Sequence, residues 1–174
     1  MTTPLRLRPV SVDDEEQFAA AHLAVVPDGF TFGLGYEPGM PWQPYVESLA
    51  RQREGSDLPE GFVPATFLVA DVDGAIVGRS SIRHELNDFL AREGGHIGYA
   101  VLPEHRRRGY ATETLRQSLV VARDVGIERV LVTCDDDNIG SIAVIERCGG
   151  VLDEALPLVP VKDAQPKRRY WIDT

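Results

Sequence analysis

Residues Tyr99–Thr112 read YAVLPEHRRRGYAT, and this stretch restricts the fold more than any other. An apolar, strand-like run stops at Pro103. Three consecutive arginines follow, Arg106 to Arg108, and then Gly109 opens a helical pattern that starts at Tyr110. A strand leading through a basic turn into a helix N-terminus is a place to hold a phosphorylated ligand. The first N–H groups of a helix have no intrahelical partner and carry a partial positive charge, and an anion fills that vacancy. Gly109 lets the backbone come close to such a ligand, and the arginines add charge-assisted contacts to phosphate oxygens. The alternative for a three-arginine run is a solvated face. GxxxxGK[ST] is absent, and no GxGxxG lies between a strand and a helix, so neither a P-loop nor a dinucleotide fold has support.

The rest of the chain alternates strands and helices around this turn. Leu5–Val10 reads as a short strand. Ser11 and Asp14 stand at capping-box spacing ahead of a first helix that runs to about Val25. Pro27–Pro64 is rich in Gly, Pro and aromatic residues, with a second helix at Tyr45–Arg53 and loop elsewhere. Such a loop either lines a binding site or is pinned to the surface by its own rings. Thr66–Val72 and Ala75–Arg83 flank Asp73-Gly74, a strong hairpin signal. Leu86–Ala91 reads as a helical turn, His96–Leu102 as a third strand of the meander and Tyr110–Val125 as an amphipathic helix. Arg129–Cys134 is a buried strand, Ile139–Arg147 a helix, and Val151–Leu156 and Lys167–Ile172 the last two strands. This order predicts one α/β or α+β domain over residues 1–174, with helices on both faces of a mixed sheet. The unit from His96 to Cys134 predicts a parallel strand pair with a right-handed crossover.

Composition removes several classes of function. A chain of 174 residues supports a hydrophobic core without disulfides or metals. The net charge of −9 counts against nonspecific nucleic-acid binding. The two cysteines, Cys134 and Cys148, form no CxxC or Cys/His cluster, so no zinc site is expected and both read as small buried hydrophobes. No apolar run approaches the ~20 residues a membrane helix needs, and no signal-peptide core is visible, so the expected location is cytoplasmic.

The chain resembles the GNAT superfamily of N-acetyltransferases. Arg106-x-x-Gly109-x-Ala111 matches its acetyl-CoA motif, and His96–Pro103 looks like the bulged strand that precedes it. Asn138 through Gly149 looks like the family's second motif, in which an Asn opens a helix along the CoA arm. The order of elements fits as well. Arg83–Val101 further resembles a group of poorly characterised bacterial acetyltransferases. The resemblance implies a mostly antiparallel sheet of about seven strands, splayed between strands 4 and 5. It also implies direct acetyl transfer from acetyl-CoA to a primary amine, with no metal and with a homodimer common among relatives. Backbone at Tyr99, Ala100 and Val101 would then hold the acetyl carbonyl and pantetheine. Backbone at Arg106, Arg107, Arg108, Gly109, Tyr110, Ala111 and Thr112 would hold the pyrophosphate, with Asn138 and Ser141 on the opposite helix.

The catalytic groups stay open at this level. The position at which many members carry a tyrosine general acid is Ile145 here, which donates no proton. His96 is a candidate base, since its pKa suits proton abstraction near neutrality, against the simpler reading of a strand-end histidine hydrogen-bonded to backbone, and geometry decides between them. His84 and Glu85 are alternatives, and Asp135–Asp137 is either an attractor for a cationic acceptor or a solvated acidic turn. Ile145 keeps alive a second reading, a CoA-binding sensor with little catalysis. A third, nucleic-acid binding through Arg106–Arg108 and Lys167–Arg169, is opposed by the acidic balance.

Overall fold

The computed structural model describes residues 4–154 and 166–174. Strand β1 (Arg6–Arg8) ends in the expected capping box, where the Asp14 carboxylate accepts the Ser11 N–H at 2.7 Å. Helix α1 (Glu15–Ala24) follows. Helix α2 spans Trp42–Glu54, starting ahead of Tyr45 because Pro44 falls in the first turn, where its missing N–H is no loss. Strands β2 (Ala65–Val72) and β3 (Ala75–Arg83) turn through Asp73 and Gly74, both at positive φ, as a two-residue hairpin demands. The helical turn expected at Leu86–Ala91 lies later, at Leu90–Gly94. Then come β4 (Ile97–Val101), α3 (Tyr110–Asp124), β5 (Arg129–Asp135), α4 (Ile139–Arg147), β6 (Val151–Leu152) and β7 (Lys167–Asp173). The strand expected to continue to Leu156 ends at Leu152, and residues 155 and 156 lie outside the described residues.

These seven strands form two antiparallel sheets, ordered β1-β2-β3-β4 and β5-β7-β6. The parallel pair expected between β4 and β5 does not form a ladder. The strands meet instead at one residue. His96 donates its N–H to the Leu131 carbonyl at 2.7 Å, and its Nδ1 accepts the Leu131 N–H at 2.8 Å. A side chain thus takes the donor that a neighbouring strand's carbonyl would otherwise bind, and pairing stops there. The expected bulge in β4 is also absent. Its register with β3 is continuous from Ile97 to Val101, and the one shift lies between Ala70 and Asp71.

Two cores follow from strand alternation. On one sheet face α1 and α2 enclose Phe18, which is fully buried among Phe32, Tyr36, Trp42, Tyr45 and Phe67. Phe32 and Tyr36 meet it edge-on, with ring centroids 5.3 and 5.2 Å away. Most aromatics of the Pro27–Pro64 segment are therefore internal pins. On the other face α3 and α4 pack Leu115, Ala122 and Ile145 against Ile82, Ile97, Val130, Val132 and Tyr170, which joins the two sheets. No helix among the described residues is long and apolar enough to cross a membrane.

Phe18 is the hub of the first core, so Phe18→Ala is expected to lower the unfolding free energy by about 3–5 kcal/mol. A urea titration measures this as a lower midpoint at constant slope.

Candidate active site

Where β4 and β5 part, a cleft of about 680 Å³ opens between the β4 edge and the N-termini of α3 and α4. Its floor follows from the β3–β4 register. The Arg83 N–H donates to His96 C=O and the Leu102 N–H to Val77 C=O. Residues between these pairs alternate in direction, so Tyr99 and Val101 turn their N–H and C=O groups away from β3, toward the open edge. Tyr99, Ala100 and Val101 all line the cleft, and Arg106 Nε occupies the Val101 carbonyl at 3.1 Å.

The basic turn supplies one wall. Gly109 is the N-cap of α3 at φ 83°, a left-handed conformation, and it has no side chain to cap the helix. The first helical bond is from Glu113 N–H to Gly109 C=O. The N–H groups of Tyr110, Ala111 and Thr112 therefore remain for a ligand, and all three residues line the cleft. Arg107 also lines it and is left-handed too, at φ 59°. The arginines divide their roles. Arg106 is tied to Asp28, Arg107 faces the cleft, and Arg108 folds back onto the Glu104 carbonyl at 3.1 Å and does not line it.

Helix α4 supplies the facing wall. Asn138 Oδ1 accepts the Ser141 N–H at 3.0 Å, which caps the helix, and the Ser141 hydroxyl lies 2.9 Å from the Tyr99 hydroxyl. This contact spans the gap between β4 and α4. Burial raises the Tyr99 phenol above its ordinary range, against the pull of Ser141, so it keeps its proton at neutral pH. Cys134 is buried and its thiol is pushed up to about 11 by burial, while Cys148 is half-buried and its S–H points to the Thr112 carbonyl at 3.7 Å. Ile145 is fully buried in the second core and does not reach the cleft.

A model of the GNAT acetyltransferase domain matches residues 4–151. This chain belongs to the GNAT acetyltransferase family. It is 26% identical over 149 residues to the uncharacterized N-acetyltransferase YjdG of Bacillus subtilis (strain 168), covering 80% of this chain and 79% of that protein. The fold is shared with RimJ of Mycobacterium smegmatis, solved with CoA-disulfide, at a TM-score of 0.66 and 22% identity over 97% of this chain and 80% of that one. It is also shared with yncA of Salmonella typhimurium, solved with its cofactor acetyl-CoA, at a TM-score of 0.64 and 18% identity over 97% and 93%.

Of the residues singled out from the sequence for the donor, Tyr99, Ala100, Val101, Arg106, Arg107, Gly109, Tyr110, Ala111, Thr112, Asn138 and Ser141 come together in this GNAT cleft, and Arg108 does not. None of the three candidate bases lines it. His96 is 7% exposed, its Nδ1 is occupied by Leu131, and burial with the nearby Arg83 charge pushes its pKa down to about 4. His84 Nε2 lies 2.8 Å from Thr66 Oγ1 and is lowered by burial, while Glu85 is exposed at the end of β3. The acidic turn is largely neutralised: Asp135 pairs with Lys167 and Asp136 with Arg168, and Arg169 pairs with Asp153. Lys167, Arg168 and Arg169 are thus engaged. Among the described residues no group of His, Cys, Asp and Glu can hold a metal ion.

Sequence reasoning missed Asp28, Phe30, Val144 and Arg147, which also line the cleft. Val144 and Arg147 follow Ser141 at intervals of three, so helical periodicity alone places them on its face.

His96 is neutral when folded, and below its ordinary pKa of 6.5 the unfolded chain takes up the proton first. Its contribution is complete above pH 6.5 and is lost as pH falls toward 4, by up to about 3 kcal/mol. His96→Asn keeps an acceptor for Leu131 N–H and removes the titration. Urea unfolding between pH 7 and pH 4 should show a flatter stability profile in the variant than in the parent protein.

Proposed function

We propose that the protein transfers an acetyl group from acetyl-CoA to a primary amine within one ternary complex. The observation that carries this reading is the meeting of two open backbone features, the β4 edge and the α3 N-terminus, in one cleft whose facing wall is the capped start of α4. The donor set fits the ligand. The Tyr110, Ala111 and Thr112 N–H groups, with the Arg107 guanidinium beside them, suit a pyrophosphate. The outward N–H and C=O of Tyr99 and the outward N–H of Val101 suit an extended amide-bearing arm, which binds a free strand edge as an added strand does.

Bound acetyl-CoA supplies an acyl group activated as a thioester and departs as a thiol. The chain's own residues do the rest. N–H groups on the β4 edge are fixed donors for an oxygen that gains negative charge. The Tyr99–Ser141 hydroxyl pair holds the proton that a departing thiolate needs, because the phenol stays protonated and faces the cleft. This pair takes the part for which Ile145 is unsuited. With Ile145 enclosed in the core, its identity bears on packing and gives the sensor reading no particular support. We assign deprotonation of the amine to solvent: His84 and His96 do not line the cleft, His105 lines it beside Arg106 and Arg107 of the basic turn, and Asp135 is paired with Lys167.

Two outcomes test the reading. Gly109→Trp places a ring where the backbone is open and should abolish saturable binding of acetyl-CoA in calorimetry. Binding undiminished by that change would overturn the donor site. In a thiol-release assay over an amine panel, Tyr99→Phe should lower kcat roughly 100-fold, leave KM for acetyl-CoA unchanged, and keep the rise of rate with pH. The same pH profile should survive in His96→Asn.

A further inference from the structure

The sheet face away from α3 and α4 carries an unusual set of side chains. Strand alternation puts Arg79, Ser81 and Arg83 of β3 on this face, while Ser80 between them bonds Ser118 of α3 on the other. Arg79 is 3% exposed, yet among the described residues it has no carboxylate partner. Its Nη1 and Nη2 donate to the carbonyls of Gly98 and Thr31, at 2.9 and 3.1 Å, and Phe30 stacks on the guanidinium at 4.7 Å. Its Nε has no hydrogen-bond partner, and neither does the buried hydroxyl of Ser81. Among the described residues Arg83 donates only to the carbonyls of Gly94 and Gly95. Two guanidinium groups, mostly out of water and close enough that Arg83 helps push the Arg79 pKa down to about 9, leave a buried excess of positive charge. Buried charge without a counter-charge is costly, and an anion bound beside it would offset that cost.

Gly98 marks where the Arg83 guanidinium, the group that would meet that anion, lies. This glycine is on β4 opposite Ser81, is half-exposed, and a Cβ built there would be 3.2 Å from Arg83 Nη1. The space that a side chain would take there is filled by the Arg83 guanidinium, which therefore lies over Gly98, next in sequence to Tyr99 of the cleft floor. Phe30, which lines the cleft and covers Arg79, connects the two regions. A second substrate received on this face would meet the β4 edge from the side opposite the helices that wall the donor cleft.

We propose that the acceptor amine carries an anionic group, carboxylate or phosphate, received by the Arg83 guanidinium where it lies over Gly98, in the field of Arg79. This rests on the acetyl transfer proposed above and narrows its substrate to amines that are also anions.

The test compares matched amines in the thiol-release assay: glycine against glycinamide, and O-phosphoethanolamine against ethanolamine. At least one anionic member should exceed its neutral partner in kcat/KM by roughly 10- to 100-fold, the range expected for hydrogen bonds to a charged group. The pair that shows it distinguishes carboxylate from phosphate. Arg83→Gln should erase the preference by raising KM for the anionic amine, with KM for acetyl-CoA unchanged, and Arg83→Lys should restore part of it. Arg79→Met should act in the same direction, but it also releases Thr31, so the Arg83 variants decide. Neutral amines used as well as anionic ones would overturn the proposal and leave acetyl transfer standing. If acetyl-CoA binds but no amine turns over, the transfer reading fails. The anion site is then judged by calorimetry of glycine and O-phosphoethanolamine on the acetyl-CoA-loaded protein, where no saturable heat from either overturns it.

Discussion

The architecture turns on a pair of hydrogen bonds between His96 and Leu131. They end the pairing of β4 with β5, and everything functional lies beyond that end. Had β4 offered a backbone carbonyl to Leu131 N–H, the ladder could have continued and closed the edge that now faces the cleft. An imidazole Nδ1 satisfies the donor without extending the strand. His96 is thereby a positioning residue for the open edge. Its neutrality is required for this, since a protonated ring has no lone pair for Leu131.

Around that opening the chain divides its labour by sheet face. One face carries α3 and α4, whose N-termini meet the cleft. The other carries the aromatic cluster around Phe18 and the arginine row of β3. The Pro27–Pro64 segment serves both purposes: Phe32, Tyr36, Trp42 and Tyr45 are internal, and Phe30 alone among its rings reaches the cleft. A loop anchored by four buried rings is a rigid frame on which one exposed ring can be held in place.

Much of this was legible in the sequence because the signals were local. Asp73-Gly74 fixed the hairpin, Asn138 and the cysteine-glycine end fixed α4, and Gly109 fixed the start of α3. The donor half of the site follows from these, since it is built from backbone at element ends. What was not legible depends on partners distant in sequence. His96 looks like a base until Leu131, 35 residues on, is seen to occupy it. Arg79, Ser81 and Arg83 are inconspicuous within AIVGRSSIR, because alternation reveals a shared face and not what covers it. Phe30 and Phe32 differ in role only through the path of an irregular loop. The expected bulge in β4 belonged to the resemblance and not to any feature of these residues.

The narrowness of the join between the sheets has a consequence for the protein in solution. Any molecule lying along the β4 edge and against α4 makes contacts to both sides of the gap, contacts that the unfolded chain does not offer. Its binding is therefore added to the free energy of folding by mass action, growing as the logarithm of its concentration above the dissociation constant. The midpoint of heat denaturation becomes a gauge of how much donor is present, and the protein's lifetime in a cell becomes coupled to that supply.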